Sequence, residues 1–143
     1  MKRSAFVILK RSDSNQILCV YNRKKKIGFP GGKEEKCDNG GLPVGTLHSA
    51  QFANACREFQ EETGIELPYI DFNQFCWGDP RYHIITIFYA TIHAEIADMM
   101  GGEVNDPYGD IVSCSWNTQD FLNNSKNILH HIRKAYNIWK EKS

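Results

Sequence analysis

Arg57-Glu58-Phe59-Gln60-Glu61-Glu62-Thr63-Gly64-Ile65 is the stretch whose reading decides the fold of this 143-residue chain. Glu58 lies three residues before Glu61 and four before Glu62, so on a helix the three carboxylates gather on one side. Phe52, Ala55, Cys56 and Phe59 recur at helical spacing and form an apolar stripe opposite them. With Ser49 as N-cap and Gly64 where a left-handed cap is wanted, the pattern predicts a helix over residues 50–62. Like charges at these spacings cost about 0.2–0.5 kcal/mol per pair. They also sit toward the helix C-terminus, where the macrodipole disfavours anions. A solvated acidic face is the competing reading. A divalent cation removes the cost, and hard carboxylate oxygens suit Mg²⁺, with Mn²⁺ as a second choice.

Outward from this helix the chain reads as short strands and one more helix. Upstream, residues 5–9 and 17–21 are apolar runs around the turn formers Ser12-Asp13-Ser14-Asn15, which predicts a hairpin. The basic run Arg23-Lys24-Lys25-Lys26 leads to the tight Phe29-Pro30-Gly31-Gly32. Residues 37–45, rich in Gly, Asn and Pro, are expected to form an exposed loop. Downstream, residues 72–77 and 82–93 read as strands and residues 101–109 as a loop. Residues 111–116 are a last strand, and Ile128, Leu129, Ile132, Ala135, Tyr136 and Trp139 mark an amphipathic C-terminal helix. No repeat or linker interrupts residues 1–143, so one α/β domain is expected.

Lys plus Arg and Asp plus Glu number 17 each, which argues against a bulk binder of nucleic acid or membrane. The five cysteines are odd in number and lack a C-x-x-C pair, so buried reduced thiols in a cytoplasmic protein are expected, not disulfides or zinc. The apolar run at residues 5–9 is too short for a signal segment, and no run approaches the ~18 residues of a membrane span.

Gly32 followed by R-E-F-Q-E-E-T-G-I at residues 57–65 resembles the Nudix box, G-x5-E-x7-R-E-U-x-E-E-x-G-U with U a bulky aliphatic residue, with Phe59 standing at U. The lead-in F-P-G-G-K at residues 29–33 is similar too. The resemblance implies the Nudix fold, an α/β/α sandwich around a mixed β-sheet. It implies Glu58, Glu61, Glu62 and the Gly31 carbonyl as metal ligands, and Arg57 as a residue that orients Glu61 or the loop. It also implies a further acid that serves as ligand or base: Asp110, six residues before Trp116, with Glu103 and Asp106 behind it. Glu61 or Asp110 would be the base.

The chain departs from the pattern in two respects. Arg57 follows Gly32 by 25 positions where the pattern sets 14, so 11 residues are inserted, expected at residues 37–46. Counting back eight from Arg57 lands on Ser49, where the family has a Glu that braces the Arg. Glu34, Glu35 and Asp38 are the candidates to replace it.

The activity implied is Mg²⁺-dependent hydrolysis of a diphosphate linkage in a small nucleotide, with the nucleoside triphosphate pyrophosphohydrolases of MutT type first. ADP-ribose or NDP-sugar hydrolysis, dinucleoside polyphosphate hydrolysis and RNA-cap hydrolysis are alternatives, as is a non-catalytic nucleotide sensor. The subfamily spacings conflict: Pro80 points to the first of these alternatives, Tyr82 to the second, and the Arg23 to Lys26 cluster alone to the cap. Arg23, Gly32, Lys33 and Tyr82 are the candidate substrate contacts. Phe75, Trp77 and Phe88 could stack a base but are more often core. Asn123 or Asn124 would read a purine or cap the last helix, with Ser125 competing as cap. A homodimer is left open.

Overall fold

The computed structural model describes residues 2–107 and 109–142; Tyr108, inside the expected 101–109 loop, lies outside them, as do Met1 and Ser143. Its organising strand is β1 (Lys2–Arg11). Alternate side chains of a strand face opposite ways, and both sets are apolar here. Ala5, Val7 and Leu9 enter one core with Leu18, Val20, Phe88, Ala55 and Phe59. Phe6 and Ile8 enter a second core with Ile17, Ile87, Ile132, Tyr136 and Trp139. A strand buried on both faces belongs at the middle of a layered sheet.

Among the described residues the other strands are β2 (Ile17–Asn22), β3 (Ile27–Gly28), β4 (Gly31–Lys33), β5 (Asn73–Asp79), β6 (His83–Ile92), β7 (Gly102–Glu103) and β8 (Ile111–Asn117). The sheet runs β5-β6-β1-β2-β8-β7, with β3 on β2 and β4 on β1. β1 and β6 are parallel, from Lys2 against His83 to Arg11 against Ile92. The other edge of β1 is shared: β4 takes its first half antiparallel, at Ser4, Ala5 and Phe6, and β2 pairs at Lys10. The sheet therefore splays between β2 and β4, and a cleft opens there.

Helix α1 (Ala50–Thr63) covers one face, while α3 (Gln119–Asn124) and α4 (His130–Lys142) cover the other; α2 (Ala94–Ala97) is a single turn. The architecture is the expected α/β/α sandwich with a mixed sheet. Phe59 is fully buried, a burial that contributes about 1.5–3 kcal/mol. Gly64 closes α1 in the left-handed conformation, its N–H donating to the Gln60 carbonyl at 2.9 Å. No described helix is long and apolar enough to cross a membrane.

Several local expectations are corrected. Ser49 does not cap α1: its backbone is already helical at φ −66°, and its hydroxyl caps no N–H, because residues 47–49 wind into the helix early. The stripe is rotated, with Asn54 buried and Phe52 at the rim against Phe72 and Phe88. Residues 37–45 are not simply an exposed loop, since Lys36–Asn39 is a 3-10 turn and Asn39 is fully buried. The short β7 interrupts the 101–109 loop. Asn123 and Asn124 belong to α3, capped by Thr118, and cap nothing in α4. Of the thiols, Cys19 and Cys114 are buried but Cys37 and Cys76 are exposed.

Candidate active site

Arg57 gathers the acidic side chains of the site. Its Nε and Nη2 donate to Asp38 Oδ1 and Oδ2, each at 3.0 Å, a two-pronged match of planar guanidinium to carboxylate. Nη1 reaches Glu58 Oε1 at 3.1 Å and Glu61 at 3.3 Å. Nη2 also donates to the Lys33 carbonyl at 3.0 Å and to Asn54 Oδ1 at 3.1 Å. Asn54 in turn donates to the Gly32 carbonyl at 3.0 Å. α1 and β4 are thereby tied together through polar groups at the edge of the first core.

Of the three candidates to brace Arg57, Asp38 does so. Glu35 stands off at 3.8 Å, and Glu34 is committed to Arg3 at 2.7 Å. Asp38 lies six residues after Gly32, where the Nudix spacing wants its Glu. Asp38, not a residue at position 49, is the carboxylate that meets Arg57. Counting forward from Gly32 instead of back from Arg57 would have found it. Asn54 was missed as well; its signal was a polar residue on the apolar side of α1.

The inserted loop is pinned at its base. Asn39 donates to Glu34 Oε2 at 3.0 Å and accepts the Leu47 N–H at 3.0 Å. Glu34 Oε2 also accepts the Gly45 N–H at 3.0 Å, and Arg3 donates to the Leu47 carbonyl at 2.8 Å.

Glu58 and Glu62 press against β4. Gly31 N–H donates to Glu62 Oε1 at 2.7 Å, so the contact made there is through the Gly31 N–H, whereas the expectation concerned its carbonyl. A Cβ on Gly32 would come 2.7 Å from the Glu58 carboxyl carbon, and one on Gly31 would strike the Ala5 carbonyl and Phe6. Burial pushes the Glu62 carboxyl up to about 9; the Gly31 N–H opposes this, and Glu58, Asp106 and Glu61 add to it. Burial also lifts Glu58 to about 7, against the pull of Arg57 and with a push from Glu61.

Among the described residues no three carboxylate, imidazole or thiol groups converge as a ready-made metal site. Arg57 holds Glu58 and Glu61, and the Gly31 N–H holds Glu62. The donor set nevertheless fits a hard divalent cation. It is all oxygen, it is partly desolvated, and its like charges raise the pKa values of Glu58 and Glu62.

Beside these groups lies the cleft, about 710 Å³, a volume in the range of small-molecule sites. Phe6, Val20, Phe29, Ile85, Leu129 and Ile132 are among its apolar lining. Glu62, Asp110, Gly31, Gly32 and Lys33 line it, as do Arg23, Lys24 and Lys26. Arg23 donates through Nε to the Gly109 carbonyl, and its N–H donates to the Asp110 carbonyl at 3.1 Å. Asp106 accepts the Ile111 N–H at 3.0 Å, and Glu103 is exposed on β7.

Tyr82 is not brought to the cleft. It sits exposed at the β5–β6 turn with the Arg81 guanidinium 5.4 Å from its ring, because the strand start turns its side chain outward. Asn123 accepts hydrogen bonds from Tyr136 and Lys140 and so fastens α4 to α3. Phe88 is core, while Phe75 and Trp77 stack on each other at 6.3 Å.

Solved structures share this fold. A MutT protein from Methanosarcina mazei Go1 superposes with a TM-score of 0.63 at 17% identity, covering 98% of this chain and 93% of its own. The Nudix domain of Shewanella oneidensis NrtR, complexed with ADP ribose, gives 0.62 at 12% identity, covering 99% and 88%. The chain has the Nudix fold. A C. elegans Ap4A hydrolase in a binary complex is similar in fold as well, with a TM-score of 0.60 at 10% identity and coverage of 99% and 96%. No family model and no curated protein sequence matches the chain.

Proposed function

We propose that this chain hydrolyses a diphosphate linkage in a small nucleotide with the help of Mg²⁺ or Mn²⁺. The observation that carries the reading is Glu62: a half-buried carboxylate, clustered with Glu58, that lines a nucleotide-sized cleft beside the Gly31-Gly32 strand. A divalent cation held by Glu58, Glu62 and Glu61 would neutralise phosphate oxygens and activate water.

The chain's own groups do the rest. Asp38 fixes Arg57, and Arg57 holds Glu58 and Glu61 in place. Asp110 lines the cleft, whereas Glu61 is engaged by Arg57, so Asp110 is the better base for the attacking water. A base so placed contributes roughly 10² to 10⁴ in rate. Arg23, Lys24 and Lys26, together at the cleft, favour a triphosphate or longer polyphosphate over a singly linked diphosphate. ADP-ribose and dinucleoside polyphosphates come next, since structural neighbours carry those names.

A second reading, a nucleotide sensor without turnover, has one observation in its favour. Arg57 already occupies Glu58 and Glu61.

The test is phosphate release, coupled to a phosphatase, from a panel in Mg²⁺ and in Mn²⁺. It holds deoxynucleoside and oxidised triphosphates, ADP-ribose, NDP-sugars, dinucleoside polyphosphates and capped RNA. Turnover of one class that EDTA abolishes supports the hydrolase. Silence across the panel, with the cation bound, supports the sensor.

A further inference from the structure

The cleft has an end that the diphosphate chemistry does not use. Ser4 extends the Phe6 and Ile8 row of β1, and His83 extends the Ile85 and Ile87 row of β6, so both face α4. Apolar residues fill these rows until the open end, where the two polar side chains stand. Ser4 is 4% exposed, and its Oγ lies 2.8 Å from His83 Nε2. His131 of α4 reaches the same end, its ring 5.3 Å from that of Phe6. The sheet register sets Lys33 across from Ser4 and Lys2 across from His83.

Positive and hydrogen-donating groups thus converge here from β1, β4, β6 and α4. Among the described residues none of Lys33, His83 and His131 has an acidic partner. The first turn of α4 carries no acid. Burial lowers His83, and Lys2 and Lys33 lower it further; burial lowers His131, with His83 and His130 adding. Glu62 and Asp110 line the same cleft, and among the described residues neither forms an ion pair with His83 or His131. A site that collects cations and neutral donors without a carboxylate is one an anion would complete.

We propose that the Ser4, Lys33, His83 and His131 end of the cleft binds a phosphate group of the substrate other than the diphosphate being cut. The substrate class is then a nucleotide with an additional phosphate away from the scissile linkage. This rests on the cleft being the substrate site, but its test needs neither metal nor turnover.

The experiment follows the imidazole proton signals of the full chain by NMR in EDTA, with inorganic phosphate added at constant ionic strength. His83 and His131 are expected to shift together and saturate. Ser4→Ala and His83→Gln are each expected to weaken binding about tenfold, the scale of one hydrogen bond to a charged group. Glu58→Gln is expected to leave phosphate binding intact. No shift beyond the chloride control overturns the proposal, as does a shift that His83→Gln leaves unchanged. Adenosine moving both signals where phosphate moves neither assigns this end to an uncharged ring and also overturns it. A silent hydrolysis panel with an intact phosphate response removes the activity and keeps this site.

Discussion

Asp38 and Arg57 meet through two hydrogen bonds of 3.0 Å each, although an 11-residue insertion separates them beyond the usual spacing. Asp38 is 3% exposed and Arg57 19% exposed in their side chains, so the pair is largely withdrawn from water. Removing one partner of such a pair leaves a charge without compensation. Asp38→Ala should destabilise the fold by about 3 kcal/mol. Ser49→Ala, whose hydroxyl caps nothing, should stay within about 0.5 kcal/mol of wild type. Urea denaturation of the two variants checks this, and equal losses would return the bracing role to position 49.

Glu62→Gln should abolish turnover and keep the fold, because the amide oxygen can still accept the Gly31 N–H. A rate near wild type would remove the metal argument.

The same residue sets a pH dependence in EDTA. The folded Glu62 carboxyl titrates near 9 against 4.5 for an unperturbed glutamate. Between those values the folded chain holds a proton that the unfolded chain has released, so stability falls as pH rises from about 4.5 toward 9. Wild type should lose melting temperature across this window relative to Glu62→Gln, and added Mg²⁺ should restore part of it. Parallel melting curves for the two proteins would contradict the burial argument.

Gly31→Ala and Gly32→Ala should fail differently. A methyl on Gly31 meets the backbone of β1, which cannot move aside, so pairing of β4 and the melting temperature should drop. The atoms nearest to a methyl on Gly32 are those of the Glu58 carboxylate, the far end of a flexible side chain. That variant should keep most of its stability while losing turnover and the Mg²⁺-induced thermal shift.

Asn39→Ala should loosen the inserted loop. It leaves the Leu47 N–H without its acceptor and removes a donor from the buried Glu34, at a cost of about 1–3 kcal/mol. Limited proteolysis should then cut within residues 40–46, where wild type resists.

The continuous apolar run of β1 and the spacing of Glu58, Glu61 and Glu62 each lie within a single element, so both were legible before any contact was known. α3 was not, because its six residues are too few to show a period. Tyr82 was misplaced because a residue at a strand start has no neighbours in sequence that say which way it faces.

The sequence by itself determined the layered fold and the carboxylate face of α1, since each follows from local spacing and side-chain periodicity. The count forward from Gly32 admits Asp38, and the tertiary structure decided for it over Glu34 and Glu35 as the partner of Arg57. The tertiary structure alone brought Ser4, Lys33, His83 and His131 to one end of the cleft. Those meetings depend on strand register and on how the inserted loop is pinned, long-range pairings that no periodicity along the chain encodes.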